Sequence, residues 1–140
     1  GALPYKFEAG TPNYVGSAAL ASAIDFMDSI GIENIHAHEE MLLKYATEKL
    51  NQIERVHIIG NAPEKSGIIS FVVDGAHHYD IGLMLDKMGI AVRTGHHCAE
   101  PIMTRFGISG TVRISFAVYN TTEEIDIFIE ALKKILNLLR

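Results

Sequence analysis

Cysteine is nearly absent from this chain: 140 residues contain one, Cys98. A single thiol allows no internal disulfide, which suits a reducing compartment and a cytoplasmic location. It also leaves no C-x-x-C pair to clamp zinc. Clustered positive charge is missing too. The twelve Lys and Arg are scattered along a chain of formal net charge -5, so neither nucleic acid nor an anionic membrane is an expected partner. No apolar run is long enough to span a bilayer, no tract is of low complexity, and no leader segment is visible. No methionine precedes Gly1, which suits a piece of something longer. The remaining composition, 48% hydrophobic and 21% charged, fits one domain with a sizeable core.

Residues 1–13 (GALPYKFEAGTPN) follow no helical or strand period, and their two prolines and two glycines mark an extended arm. The Gly10-Thr11-Pro12-Asn13 run suits either a phosphate cradle or a plain turn leading into a helix. Over 14–30, Val15, Ala19, Ala23, Phe26 and Ile30 recur at helical spacing, and Gly31 stops the helix. The small residues of this helix imply a close backbone neighbour. A second helix is expected over 34–53, with Leu42, Ala46, Leu50 and Ile53 on one face. The period then changes. Residues 56–59 and 67–73 read as strands, the second nearly all apolar and therefore central. Ile81, Met84, Leu85 and Met88 form one face of a third helix, ended by Gly89. Residues 90–93 read as a short strand, and 111–118 alternate, with Val112, Ile114, Phe116 and Val118 opposite Arg113 and Ser115. Thr121 and Glu124 make a capping box for a last helix with an unbroken apolar stripe from Ile125 to Leu139. The expected fold is α+β: a two-layer domain with a small mixed or antiparallel sheet covered by helices on one face.

The chemistry gathers in Arg93-Thr94-Gly95-His96-His97-Cys98-Ala99-Glu100-Pro101. Here a strand ending at Arg93 feeds a polar turn, and Pro101 suits the first position of a short helix. A thiol near a helix start with cationic neighbours has its reactive thiolate favoured. The bland alternative is a buried apolar cysteine, against which the Gly, His, Glu and Pro neighbours argue. Arg113 lies on the non-core side of its strand, so it and Arg93 are expected to share the open face with Cys98. Two guanidinium groups there form a fork for a carboxylate or phosphate; solvated edge charges are the alternative. The histidines at 36, 38, 77, 78, 96 and 97 could be metal ligands together with Cys98. Their spacing matches no zinc pattern, and positions 36 and 38 diverge on a helix. No metal is expected, and His77 and His78 read as surface histidines near a helix start.

These residues resemble a known family. The Arg93-to-Pro101 stretch is similar to the signature around the active cysteine of group II cysteine desulfurases. These are pyridoxal-phosphate enzymes of the class V aminotransferase family, fold type I, and they include selenocysteine-lyase-like proteins. The likeness runs from Phe7-Glu-Ala-Gly-Thr-Pro-Asn13 through Gly89-Ile-Ala-Val-Arg93 to Tyr119-Asn120-Thr-x-Glu-Glu124; Glu100 stands where the family often has Gln or Met. The resemblance implies that Cys98 is the nucleophile taking sulfur from L-cysteine, or selenium from selenocysteine. It implies that Arg113, with Arg93 close by, binds the substrate carboxylate. Thr11 would reach the cofactor phosphate of the partner subunit in a homodimer, and a sulfur-acceptor protein would receive the product. The family's cofactor lysine matches no lysine here. The chain therefore reads as a C-terminal part, with 1–18 belonging to or crossing into a large cofactor domain and 19–140 forming the small domain. No pyridoxal phosphate is expected to bind to this part alone. The alternatives are a cofactor-free sulfur carrier, which needs neither Arg113 nor the EAGTPN loop, and another fold-type I lyase or aminotransferase, which the cysteine signature disfavours.

Overall fold

The structure, a computed structural model, describes residues 1–139, grouped into two units, Gly1–His36 and Ala37–Arg140. The first unit holds a 3₁₀ turn at Tyr5–Phe7 and helix α1 (Tyr14–Ile30). Asn13 caps α1 by accepting the Gly16 N–H at 2.9 Å, so the Gly-Thr-Pro-Asn run does serve as a helix-leading turn. Gly31 stops the helix at φ 90, where a side chain would be strained. The apolar stripe has its expected helical spacing, yet none of its residues is buried, and Val15 and Phe26 are 66% and 59% exposed.

Helix α2 (Ile32–Asn51) begins in the first unit and gives its buried residues, Leu42, Leu43, Ala46 and Leu50, to the second. There follow β1 (Val56–Ile59), β2 (Ile68–Val73), α3 (His78–Lys87), β3 (Arg93–Gly95), α4 (Glu100–Phe106), β4 (Thr111–Ser115) and α5 (Thr122–Leu138). The four strands form one wholly antiparallel sheet in the order β1-β2-β4-β3. Its registers put Val56, Ile58, Ile69, Phe71, Val73, Val112 and Ile114 on one face. The apolar stripes of α2, α3 and α5 complete the core on that side, with Phe71 and Phe128 meeting edge to face at 6.2 Å. The α+β, two-layer expectation holds.

Side chains close the ends of this core. Thr121 and Glu124 form the expected capping box on α5. Arg55 crosses from the start of β1 to the other end of α5, donating to the Leu136 and Leu139 carbonyls at 2.9 and 3.3 Å. Helix α3 lies against β3 so closely that a Cβ at Gly82 would fall 2.5 Å from the Thr94 methyl, so any side chain there would have to displace Thr94.

Several boundaries differ from the sequence expectation. The second helix is 32–51 rather than 34–53, the central strand starts at 68, and the last strand ends at 115, with Val118 in a turn. The largest shift is the strand expected over 90–93, which is β3 at 93–95. Ile90 and Val92 do pack against the core, hence the strand-like alternation. However, the segment diverges from β4 and leaves a groove of about 400 Å³ lined by Gly89–Val92, Ile114–Phe116 and α5. Arg93 therefore opens the strand instead of closing it. Truncating Phe71, fully buried at the centre of the core, should cost about 3–5 kcal/mol in Phe71→Ala, read as a lowered urea midpoint. The exposed Phe26→Ala should stay within about 0.5 kcal/mol of wild type.

Candidate active site

Three residue pairs build the site. In the β3–β4 ladder Arg93 faces Arg113, Thr94 faces Val112, and Gly95 faces Thr111. Directly opposed residues share a sheet face. Thr94 and Val112 thus belong to the core side, while Arg93, Arg113, Gly95 and Thr111 belong to the open side. Arg113 also faces Ser70 of β2, so Ser70, Arg113 and Arg93 form one row across the open face.

Immediately after Gly95 the chain makes a four-residue turn, closed by the Ala99 N–H donating to the His96 carbonyl at 2.9 Å. Its two central residues, His97 and Cys98, have φ 55 and 57, and they are the only described non-glycine residues at positive φ. Side chains rarely adopt this region, which costs about 1–2 kcal/mol per residue. The turn is tied back to the sheet by one side-chain hydrogen bond, His97 Nε2 to Thr111 Oγ1 at 2.9 Å. Thr111 is fully buried, the one polar side chain in that class among the described residues. Cys98, at the tip, is a free and exposed thiol, so the buried-cysteine alternative is set aside. Neither the left-handed turn nor the His97–Thr111 bond had a sequence signal beyond the Gly-His-His-Cys composition.

The electrostatics of the site are one-sided. Arg93 is exposed and Arg113 half-buried, and the Arg113 Nε is buried without a partner. Among the described residues neither guanidinium joins any of the ion pairs, which involve Lys44, Lys49, His57 and Lys133. Burial, and then the charges of Arg113 and Arg93, hold the pKa of His97 below the usual imidazole range. Two like charges opposed across a ladder repel, and a buried guanidinium N–H without an acceptor is costly. An anion with two oxygens relieves both.

The remaining candidates have other surroundings. His77 caps α3, its Nδ1 accepting the Tyr79 N–H at 3.3 Å. His78 departs from the surface expectation: it is half-buried and its Nδ1 has no partner. Its ring fills the space beside Gly110, where a Cβ would lie 2.5 Å from Nε2. His36 is exposed in the first unit, and His38 Nε2 meets the Asn120 carbonyl at 3.0 Å. Among the described residues no three His, Cys, Asp or Glu side chains converge to hold a metal ion. Thr11 is exposed in the arm of the first unit.

Comparison with known proteins gives this geometry its family. The family model described as aminotransferase class-V matches residues 1–128. The chain belongs to the aminotransferase class-V family. A probable cysteine desulfurase of Vibrio cholerae serotype O1 is 49% identical over 137 residues, 98% of this chain and 34% of its own length. The apo structure of a cysteine desulfurase from Thermococcus onnurineus NA1 superimposes with a TM-score of 0.88 at 42% identity, covering 96% of this chain and 34% of that one. A cysteine desulfurase structure from Escherichia coli gives 0.88 at 33% identity, over 98% and 34%. The chain spans about a third of the length of the relatives it matches. Among the described residues no single helix is long and apolar enough to cross a membrane.

For this class-V aminotransferase family member, the family implies pyridoxal phosphate in the intact enzyme. The donor set of the second unit fits only part of that chemistry. The unpartnered Arg113 Nε and the Arg93 guanidinium suit a carboxylate. Of the six lysines in this unit, Lys44, Lys49, Lys65 and Lys133 are engaged with Glu40, Asp126, the Gly60 carbonyl and Glu130. Protonation should loosen the site. His97 and His78 are both lowered, each chiefly by burial, so between those values and about 6.5 the unfolded chain binds more protons than the folded one. Their stabilisation is complete above about pH 6.5 and is lost as pH falls through the lowered values. The thermal midpoint should therefore drop between pH 7.5 and 5.5, and His97→Gln should shrink that drop.

Proposed function

We propose that this chain is the C-terminal part of a pyridoxal-phosphate-dependent cysteine desulfurase, the part carrying the sulfur-accepting thiol. The observation that supports it most is the pair Arg93 and Arg113, opposed across β3–β4 without an acidic partner among the described residues, on the strands that frame the exposed Cys98 turn. The relatives named cysteine desulfurase support the same reading.

The substrate is L-cysteine, with L-selenocysteine in the same chemical class. Arg113 grips its carboxylate through two parallel N–H···O bonds, and Arg93 adds a second positive charge. When bound, the cofactor supplies the electron sink that makes the bond to the substrate sulfur labile. The Cys98 thiolate forms a bond to that sulfur as the substrate's Cβ–S bond breaks, and the electron pair goes to the carbon skeleton. The skeleton gains a proton and leaves as alanine, while a persulfide remains on Cys98. An exposed turn tip suits passing this sulfur to an acceptor protein, for iron–sulfur cluster assembly or related biosynthesis. Thr11 contributes a hydroxyl to the phosphate of the partner subunit's cofactor in a cytoplasmic homodimer, and residues 1–18 belong to or cross into the large domain. Neither nucleic acid nor membrane takes part.

In the intact enzyme Cys98→Ala should abolish persulfide formation yet keep cofactor and cysteine binding. Arg113→Ala should raise KM for cysteine roughly 10- to 150-fold, the loss of a charged hydrogen-bonded partner worth about 1.5–3 kcal/mol. Persulfide on the Cys98→Ala variant would end this reading. The 140-residue chain mixed with pyridoxal phosphate should retain no protein-bound cofactor absorbance after desalting.

A further inference from the structure

The Cys98 turn has a support that the proposed reaction does not itself require. Its two central residues lie at positive φ, a conformation that persists only where surrounding structure enforces it. On its sheet side the turn is fixed by Gly95, paired with Thr111. Beyond the turn, α4 is a short helix whose N-cap residue, Ala99, offers no side-chain hydrogen bond. Among the described residues the side-chain bond that holds the turn is His97 Nε2 to Thr111 Oγ1, at 2.9 Å. Thr111 cannot yield, being fully buried and at the start of β4. The other ring nitrogen of His97 is buried with no hydrogen-bond partner among the described residues, so the ring is held through Thr111.

We infer that His97 is a positioning residue: its bond to Thr111 pins the left-handed turn to β4 and so fixes where the Cys98 thiol stands relative to the Arg93–Arg113 row. The inference rests on the proposed desulfurase reading. His97 takes no part in the sulfur transfer; it sets the distance over which that transfer occurs. Burial and the two guanidiniums hold the ring neutral, which keeps a third positive charge off the carboxylate site.

The test uses the intact enzyme with Thr111→Val, which removes the hydroxyl and keeps the side-chain shape, Thr111→Ser, which keeps the hydroxyl, and His97→Ala. Thr111→Val and His97→Ala should each lower kcat for persulfide formation about 10- to 100-fold, the scale expected for a misplaced reacting group. KM for cysteine should stay within about twofold, because the carboxylate fork is untouched. Thr111→Ser should restore most of the rate, and the double variant Thr111→Val with His97→Ala should be no slower than either alone, as for two halves of one bond. Wild-type kcat in Thr111→Val, a loss that appears in KM, or a Thr111→Ser variant as slow as Thr111→Val would each overturn the positioning role. Cys98→Ala, run alongside, separates the two readings. Persulfide formed without Cys98 defeats the desulfurase assignment, whereas a fast Thr111→Val beside an inactive Cys98→Ala defeats only the role of His97.

Discussion

The three-pair ladder between β3 and β4 is the constraint on which the site depends. It sets Arg93 against Arg113 and ends at Gly95 and Thr111, so the chain leaves the sheet one residue before the Cys98 turn begins. A slip of one residue would turn Arg113 toward the helices and Val112 toward the open face, because strand side chains alternate. The slip is blocked from the core side. Thr94 must meet α3 at Gly82, where a larger residue would have to displace it, and Val112 and Ile114 are buried in the core. Packing on one face thus fixes the chemistry on the other.

The open face is assembled from like charges. Two guanidiniums stand opposed with no carboxylate among the described residues to balance them, and the imidazole of His97, bonded to Thr111, is kept neutral by burial and by those same charges. Elsewhere the molecule pairs its charges in the ordinary way, as in Lys49–Asp126 and Lys133–Glu130. A region where that pairing stops, beside a backbone held at positive φ, is where an anionic ligand supplies what the protein withholds. The exposed apolar residues of α1 are a separate matter. Leu20, Ile24 and Phe26 are each at least half exposed, in a chain that spans about a third of its relatives' length.

Much of the fold was legible because local signals and burial agree. The Thr121–Glu124 capping box and the stripe from Ile125 to Leu139 mark α5 unambiguously, since few other patterns satisfy both a helix start and a 3.6-residue period. The alternation at Thr111–Ser115 likewise showed that Arg113 leaves the core. Legibility failed at 90–95. Ile90 and Val92 touch the core without pairing to β4, and the apolar pattern reports core contact rather than ladder hydrogen bonds. His78 was misjudged for a related reason. Its burial comes from Gly110, 32 residues away along the chain, whose missing side chain makes room for the ring.

The sequence by itself determined the element types, the two-layer α+β class, the family and the side-chain inventory of the site: one thiol in a polar turn, and two arginines at strand positions facing away from the core. These follow from periodicity, capping and motif order, all of which are local properties of the chain. Tertiary structure alone decided that Arg93 and Arg113 stand directly opposite, that His97 rather than His96 ties the turn to β4, and that His97 and Cys98 take positive φ. Those facts depend on strand register and on a buried hydroxyl 14 residues from its partner. Register is chosen by the sum of packing over the whole core, so no local run of residues encodes it.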